Sequence, residues 1–317
     1  MVDVCPRHAS PAIEVRMNPI KLRDNRESGT LKTILAALSL VPGINVEMSR
    51  EIPAQCLAVE GRIVGFVDDL DAWDSLANGN SSDLARSVAL VKPAIIFKVQ
   101  FRRGAVYPPG TVSAGYFCHP EACGGAIQNN LLQRHRPIDV TSRMRIGEYA
   151  GPPQPWMEDR RAIEKEAAAL ESGGYAAVYR KIPLPDYIDE LPDAEIGFHW
   201  RGYGRLCYRL IEYISAGVVP VTQPLGGEWP IREDIMIEDG VTCVVCDRPS
   251  DFGAVARALL RDRPKLLRIR KNICDLWTGS LALPAMGQWY WERLRRAHLC
   301  LLKSPAIARA LPRLRVR

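Results

Sequence analysis

AEIGFHWRGYGRLCYRLIEYISAGVVPV, residues 194–221, reads as strand, glycine-containing loop, helix, glycine stop and buried strand. The apolar run Glu195–His199 is short enough for a strand. Arg201–Arg205 carries two glycines, Leu206–Ala216 has helical spacing, Gly217 stops it, and Val218–Thr222 is β-branched and apolar. In an open parallel sheet, the loops beyond the carboxyl ends of the strands form the ligand crevice. The loop Arg201-Gly202-Tyr203-Gly204 sits at such an end and opens a helix, where unpaired N–H groups and the helix dipole favour a phosphate. Gly202 and Gly204 let the backbone approach a ligand. Arg205 and Arg209 are four residues apart and share a face if the helix includes both; guanidinium forks suit a diphosphate. Glu212 falls near the same face and can accept from ribose or sugar hydroxyls. The same residues also read as a surface ion-pair ladder beside a glycine-shaped turn, and spacing alone leaves both readings open.

Outward from this segment, strands alternate with helices, the pattern of parallel α/β units. Upstream lie strands at Arg16–Leu22, Asn45–Met48, Arg62–Val67, Ala94–Val99, Ile138–Thr141 and Ala176–Arg180. Helices are expected from Thr30 to about Leu40, over Ser82–Val91 and over Met157–Ser172, with a short helix or turn at Pro185–Leu191. Downstream come a strand at Thr242–Cys246, helices at Ser250–Leu260 and Pro264–Leu276, and a long amphipathic helix, Pro284–Leu302. The breaker Gly151-Pro152-Pro153-Gln154-Pro155 marks the lip of the boundary between two halves. The expected division is 1–135 for an acceptor-side domain, 136–283 for a donor domain, and 284–317 for a C-terminal helix and basic tail packing back on the first domain.

Composition narrows the function. A chain of 317 residues, 47% hydrophobic and 25% charged, folds as a soluble protein of about two domains. Aromatics at 7% make an aromatic nucleic-acid platform unexpected, and no nucleic-acid partner is expected. No apolar run is long enough to span a bilayer, and Met1–Arg16 lacks the apolar core of a signal peptide. Nine scattered cysteines suit a reducing compartment, so a cytoplasmic location is expected. Arg293–Arg317 holds eight Lys/Arg and no acid within a chain of net charge +6; it reads either as a solvated tail or as a peripheral contact with an anionic membrane.

The segment GFHWRGYGRLCYRLIEYISAGVVPV resembles the donor-binding segment of exostosin-type glycosyltransferases: an Arg-Gly loop (Arg201-Gly202), an arginine (Arg205), then Arg-x-x-Glu-x-x-x-x-Gly (Arg209, Glu212, Gly217) and a buried Val-Pro-Val (Val219-Pro220-Val221). A looser similarity of element order runs from Ile138 to about Ser280 and includes Pro137-Ile138-Asp139-Val140 and Met236–Val245. The resemblance implies an α/β chain of two facing Rossmann-like domains, GT-B-like, with a nucleoside diphosphate sugar as co-substrate held mainly by the C-terminal domain. It implies no metal or other cofactor and an acceptor bound mainly by the N-terminal domain; the cytoplasmic character and basic tail point to a glycan or lipid-linked hydroxyl as that acceptor. Donor binding then falls to Arg201, Gly202, Gly204, Arg205, Arg209 and Glu212, with Arg205 and Arg209 also neutralising the leaving diphosphate.

Other residues are weaker candidates. The acidic cluster Asp68, Asp69, Asp71 and Asp74 follows a strand; it reads as a helix N-terminus, a metal site, or a general base, for which Asp69 comes first. Ser28 and Gly29 precede the first helix, Lys98 ends an apolar strand, and Arg180 and Lys181 end another; each can meet a phosphate or the acceptor, or be plain caps and solvated ends. Glu228, after Gly226-Gly227, is a candidate sugar-hydroxyl ligand. Cys118, His119 and Cys123, and the pair Cys243 and Cys246, read as inert thiols rather than zinc ligands. Two rival readings remain: a Rossmann-type dehydrogenase or epimerase, which lacks its early GxGxxG here, and a non-catalytic glycan- or nucleotide-binding module of the same fold.

Overall fold

The structure is a computed structural model that describes residues 12–15, 28–48, 55–68, 75–77, 83–115, 132, 134–144, 154–202 and 204–303. Its first sheet contains β1 (Ala12–Val15), β2 (Asn45–Met48), β3 (Cys56–Val59), β4 (Arg62–Asp68), β5 (Ile95–Lys98) and β6 (Thr111–Ser113), in the order β2-β1-β3-β4-β5-β6. The α/β class holds, but this sheet is mixed where parallel pairing was expected. β3 runs antiparallel to both β1 and β4, and the other pairs are parallel. The reversal is a hairpin whose two turn residues, Glu60 and Gly61, have φ of 51° and 71°. Positive φ at both positions is the type I′ geometry that matches strand twist. Glu-Gly carries that signal less plainly than Asn-Gly, which is why β3 escaped the sequence reading. The strand expected at Arg16–Leu22 lies outside the described residues.

The second sheet is fully parallel. It comprises β7 (Ile138–Thr141), β8 (Ala177–Val178), β9 (Ala194–His199), β10 (Val219–Thr222) and β11 (Val244–Val245), ordered β11-β10-β9-β7-β8. All six residues of β9 are buried, as a central parallel strand covered on both faces requires. The chain leaves β7 for β8 on one side and then returns to β9 on the other. The strand order therefore reverses between β7 and β9, and the carboxyl ends of these two strands flank a topological switch point.

Helices α1 (Ser28–Ser39) and α2 (Asp83–Val91) belong to the first half. Helices α3 (Pro155–Ser172), α4 (Leu184–Glu190), α5 (Tyr208–Ser215), α6 (Phe252–Arg261) and α7 (Arg263–Leu276) belong to the second, and α8 (Leu283–Lys303) ends the described chain. One side of the second sheet packs Ile163, Ala167 and Leu170 of α3 with Phe252, Ala256 and Leu259 of α6. On its other side lies α5. Leu210, Ile211 and Ile214 of α5 join one continuous core with Val67, Phe97 and Val99 of the first sheet and Trp289, Tyr290 and Leu294 of α8. Gly197 leaves room for Tyr213 of α5 to lie flat on β9: a Cβ at 197 would sit 2.5 Å from its ring. At the opposite edge, Arg136 donates to the carbonyls of Ala194 (2.7 Å) and Ala216 (2.9 Å), and Arg270 donates to Gly217 O (2.9 Å) and to the Glu195 carboxylate. Both ends of the β9–α5 unit are thereby tied down.

Helix α8 crosses back onto the first sheet and packs on α1 through Met286 and Trp289 against Leu31, Ile34 and Leu38. The crossing is close because residue 287 is glycine. A Cβ there would lie 2.0 Å from the carbonyl oxygen of Ala37. Backbone cannot yield as a flexible side chain can, so Gly287→Ala should lower the unfolding free energy by about 1–3 kcal/mol in denaturant melts, with an unchanged m-value.

Candidate functional site

Helix α5 begins at Tyr208, with Cys207 extended at its N-cap (φ −140°). Arg205 therefore stands in the loop, and the expected shared helical face of Arg205 and Arg209 does not form. What the loop does instead is set by four of its carbonyls. Arg160 of α3 donates from Nε to Arg201 O (3.1 Å) and from Nη2 to Trp200 O (3.4 Å). Gln223 Nε2 donates to Arg205 O (3.1 Å), and Gln100 Nε2, from the first half, donates to Leu206 O (2.8 Å). Arg160 is itself fixed over the Trp156 ring at 4.6 Å, and Trp200 Nε1 donates to Asp159 Oδ2 at 2.9 Å. Both glycines lie against these clamps. A Cβ at 204 would fall 2.2 Å from Gln100 Nε2, and one at 202 would fall 3.1 Å from Arg160 Nη2.

At the switch point, four side-chain polar atoms are buried and unpartnered: Thr141 Oγ1 and Ser142 Oγ at the end of β7, His199 Nε2 at the end of β9, and Arg209 Nε in the first turn of α5. Buried polar groups are almost always paired, so these four atoms could take a polar partner at this strand edge. His199 is fully buried, with Nδ1 2.7 Å from Thr222 Oγ1. When the Thr222 hydroxyl donates to Nδ1, the ring proton sits on Nε2, which is then a donor. Burial, reinforced by the nearby Arg160 and Arg209 guanidinium groups, lowers the His199 pKa to about 3, so the ring is neutral. Arg209 donates from Nη2 to Arg143 O at 2.6 Å and lies over the Tyr187 ring at 5.8 Å. Burial pulls its pKa down, but Tyr187, Tyr213 and Glu212 outweigh that and hold it above its ordinary value. The site therefore has fixed positive charge and hydroxyl, imidazole and guanidinium donors, a set that suits an oxyanion.

The other candidates fall into three groups. Arg201 and Arg205 are half-buried in the clamped loop, and Arg180 and Lys181 are exposed beyond β8, with Arg180 O accepting from Arg143. Arg143 is held by the Glu190 carboxylate. These basic groups surround the switch point. Three candidates have protein partners. Glu212 is buried and accepts from Tyr187 OH at 3.0 Å, because the inward turn of α5 carries it into the polar pocket beside Arg209. Glu228 pairs with Arg102 across the two halves at 3.0 Å, since the loop after β10 meets the loop after β5. Lys98 is neither solvated nor turned to an acceptor: it is fully buried, 3.2 Å from Asp68 on the neighbouring strand, and Ser75 Oγ donates to the same carboxylate at 2.6 Å. Ser28 and Gly29 open α1. Asp69 lies outside the described residues.

Sequence reasoning missed Thr141, Ser142, His199, Arg160, Arg143 and Gln100. The only local signal was a polar residue ending an apolar strand, at Thr141-Ser142 and His199. Among the described residues, no cluster of His, Cys, Asp or Glu could hold a metal ion. Cys243 and Cys246 are buried, and burial raises the pKa of both thiols, Cys243 to about 12. Cys118, His119 and Cys123 lie outside the described residues, as does the chain beyond Lys303. No described helix is long and apolar enough to cross a membrane. Thr222, the partner of His199, also lines a cavity of about 360 Å³ at the ends of β10 and β11, together with Leu225, Gly226, Gly227, Met236 and Asp239.

No protein-family model matches the chain, and no curated protein matches it in sequence. Among solved structures, three crystal structures of Anabaena Alr3699/HepE match at 12% identity. The complex with UDP-glucose covers 59% of this chain and 57% of that one (TM-score 0.37); the complex with UDP and glucose covers 67% and 66% (0.41); the complex with UDP covers 59% and 57% (0.37). The chain spans less than two thirds of each neighbour's length.

The neutral, buried His199 has a consequence for pH. Its folded-state pKa of about 3 lies below the ordinary 6.5, so the unfolded chain takes up this proton first as pH falls. The contribution to stability is intact above pH 6.5 and is lost progressively towards pH 3. His199→Gln should flatten the fall in melting temperature between pH 7 and pH 5 relative to wild type; equal slopes would mean that His199 is not held neutral.

Proposed function

We propose that this chain is a glycosyltransferase that binds a nucleoside diphosphate sugar at the carboxyl edge of the second sheet and transfers the sugar to a hydroxyl of a glycan or lipid-linked acceptor. The observation that carries the reading is the convergence of unpartnered buried Thr141, Ser142, His199 and Arg209 atoms at the switch point, ringed by Arg143, Arg160 and Arg205. In such a transfer the bond from the sugar's anomeric carbon to the phosphate oxygen breaks, and the acceptor oxygen takes its place. The diphosphate leaves with the added negative charge, and the acceptor's proton passes to a base. Fixed guanidinium and N–H donors that meet the departing charge supply the largest electrostatic share of such catalysis. Arg209 and the loop donors fit that role, and Asp69 is the candidate base. The cavity beside Thr222, of about 360 Å³, offers room for a neutral part of the donor. The exostosin-type assignment is the finer form of this proposal and rests on the order Arg205, Arg209, Glu212, Gly217 and Pro220. A cytoplasmic enzyme whose basic tail meets an anionic membrane surface is part of the same proposal.

One observation favours a second reading, a non-catalytic nucleotide- or glycan-binding module: the carboxylates of Glu212 and Glu228 are both engaged by protein partners. Two measurements separate the readings. In a thermal-shift screen of UDP, GDP, ADP, CMP and dTDP sugars, one nucleotide class should raise the melting temperature, as binding at 100-fold excess over Kd adds about 2.7 kcal/mol. No shift with any of them sinks both readings of the site. Turnover then decides between them. An enzyme releases nucleoside diphosphate from the stabilising donor, and Arg209→Ala lowers that rate by about 100-fold to 1,000-fold while the protein stays folded. A binding module shows the shift and no release.

A further inference from the structure

We propose that Gln100 is a positioning residue through which the first half of the molecule sets the loop that leads into α5 and its Arg209; the inference rests on the site reading above. Among the described residues, three side chains from outside the loop hold carbonyls between Trp200 and Leu206, besides the contact of Cys207 Sγ with Trp200 O at 3.8 Å. Two, Arg160 and Gln223, come from the second half, and their bonds survive any movement of one half against the other. The third is Gln100, which follows β5 of the first sheet and donates to Leu206 O at 2.8 Å. It is fully buried, and its carboxamide is pressed against Gly204, where a Cβ would meet both the nitrogen (2.2 Å) and the oxygen (2.7 Å). Leu206 lies two residues before α5, so this contact fixes the peptide planes at the helix entry, close to Arg209. A carbonyl drawn towards Gln100 turns the N–H of the same peptide unit, that of Cys207, the opposite way.

The amide oxygen of Gln100 has no partner. A fully buried carboxamide that satisfies only its donor side gains little as a structural bond, because the desolvated oxygen offsets it. Its position is better accounted for by what it holds than by what it contributes to stability. Other bonds across the same joint do not touch the loop: Ser113 Oγ donates to Ile231 O at 3.2 Å, and Arg103 N donates to Glu228 O at 2.8 Å. The halves therefore have independent fastenings, and Gln100 is the one that reports their closure to the anion site.

The test compares lesions at one joint, with UDP and inorganic pyrophosphate as probes and the full chain throughout. Gln100→Met keeps the volume and removes the bond to Leu206 O. Gly204→Ala attacks the same contact from the other side. Ser113→Ala removes a cross-half bond away from the loop. By calorimetric titration, Gln100→Met and Gly204→Ala should each raise the Kd for UDP by about tenfold, and their double variant should show less than the product of the two effects. Ser113→Ala should stay within about twofold of wild type. Melting temperatures check that all variants fold. If Gly204→Ala does not fold, Gln100→Met against Ser113→Ala still decides. Equal weakening by Gln100→Met and Ser113→Ala, or no weakening by Gln100→Met, overturns the positioning role. Failure of the wild-type protein to bind either probe overturns the anion site itself, and this inference with it.

Discussion

The structure turns on the burial of one short helix, Tyr208–Ser215, between two sheets. Its Leu210, Ile211 and Ile214 are packed into a core shared with the first sheet and α8, while Tyr213 lies flat on β9 over Gly197. With both sides covered, the polar residues of the helix cannot reach water freely and must be satisfied by protein. Glu212 takes Tyr187 OH, and Arg209 takes Arg143 O. The helix cannot rotate to release them without emptying the shared core, and a cavity of that kind costs about 2–5 kcal/mol per large side chain. The geometry at the helix entry is therefore fixed by hydrophobic packing some distance from it.

The same constraint explains the electrostatics. Positive charge collects at the carboxyl edge of the second sheet and is partly neutralised, by Glu190 on Arg143 and by Glu212 beside Arg209. In that environment His199 gives up its proton rather than add a third charge beside Arg160 and Arg209. A neutral imidazole between two guanidinium groups can still donate, and it does so without the desolvation cost of a buried cation. At the amino edge, by contrast, Arg136 and Arg270 are spent on carbonyls and on Glu195. At the carboxyl edge, Thr141 Oγ1, Ser142 Oγ, His199 Nε2 and Arg209 Nε are left over.

Much of the second half was legible in the sequence. The strand Ile138–Thr141, the strand ending at His199, the glycine stop at 217 and the buried strand through Pro220 all appear where periodicity and punctuation placed them, because each is a local signal. Gly217 has φ of 66°, as a left-handed helix stop requires. The first half was less legible. Its hairpin depends on an Glu60-Gly61 turn with a weak local signature, and its buried pair Lys98–Asp68 depends on the register of two parallel strands separated by about thirty residues in the chain.

The sequence by itself determined that this is an α/β chain with a glycine-containing loop opening a helix at a strand end, since composition, glycine placement and strand–helix alternation act within a few residues of one another. Only the tertiary structure decided which neighbours those residues meet. Glu212 and Glu228 are partnered by Tyr187 and Arg102, which lie 25 and 126 residues away, and Gly202 and Gly204 lie against Arg160 and Gln100. Conversely, Thr141, Ser142 and His199 were left unsatisfied. Whether a polar atom is free or occupied is a property of its neighbours in space, and in a parallel sheet those neighbours come from strands that the chain visits far apart.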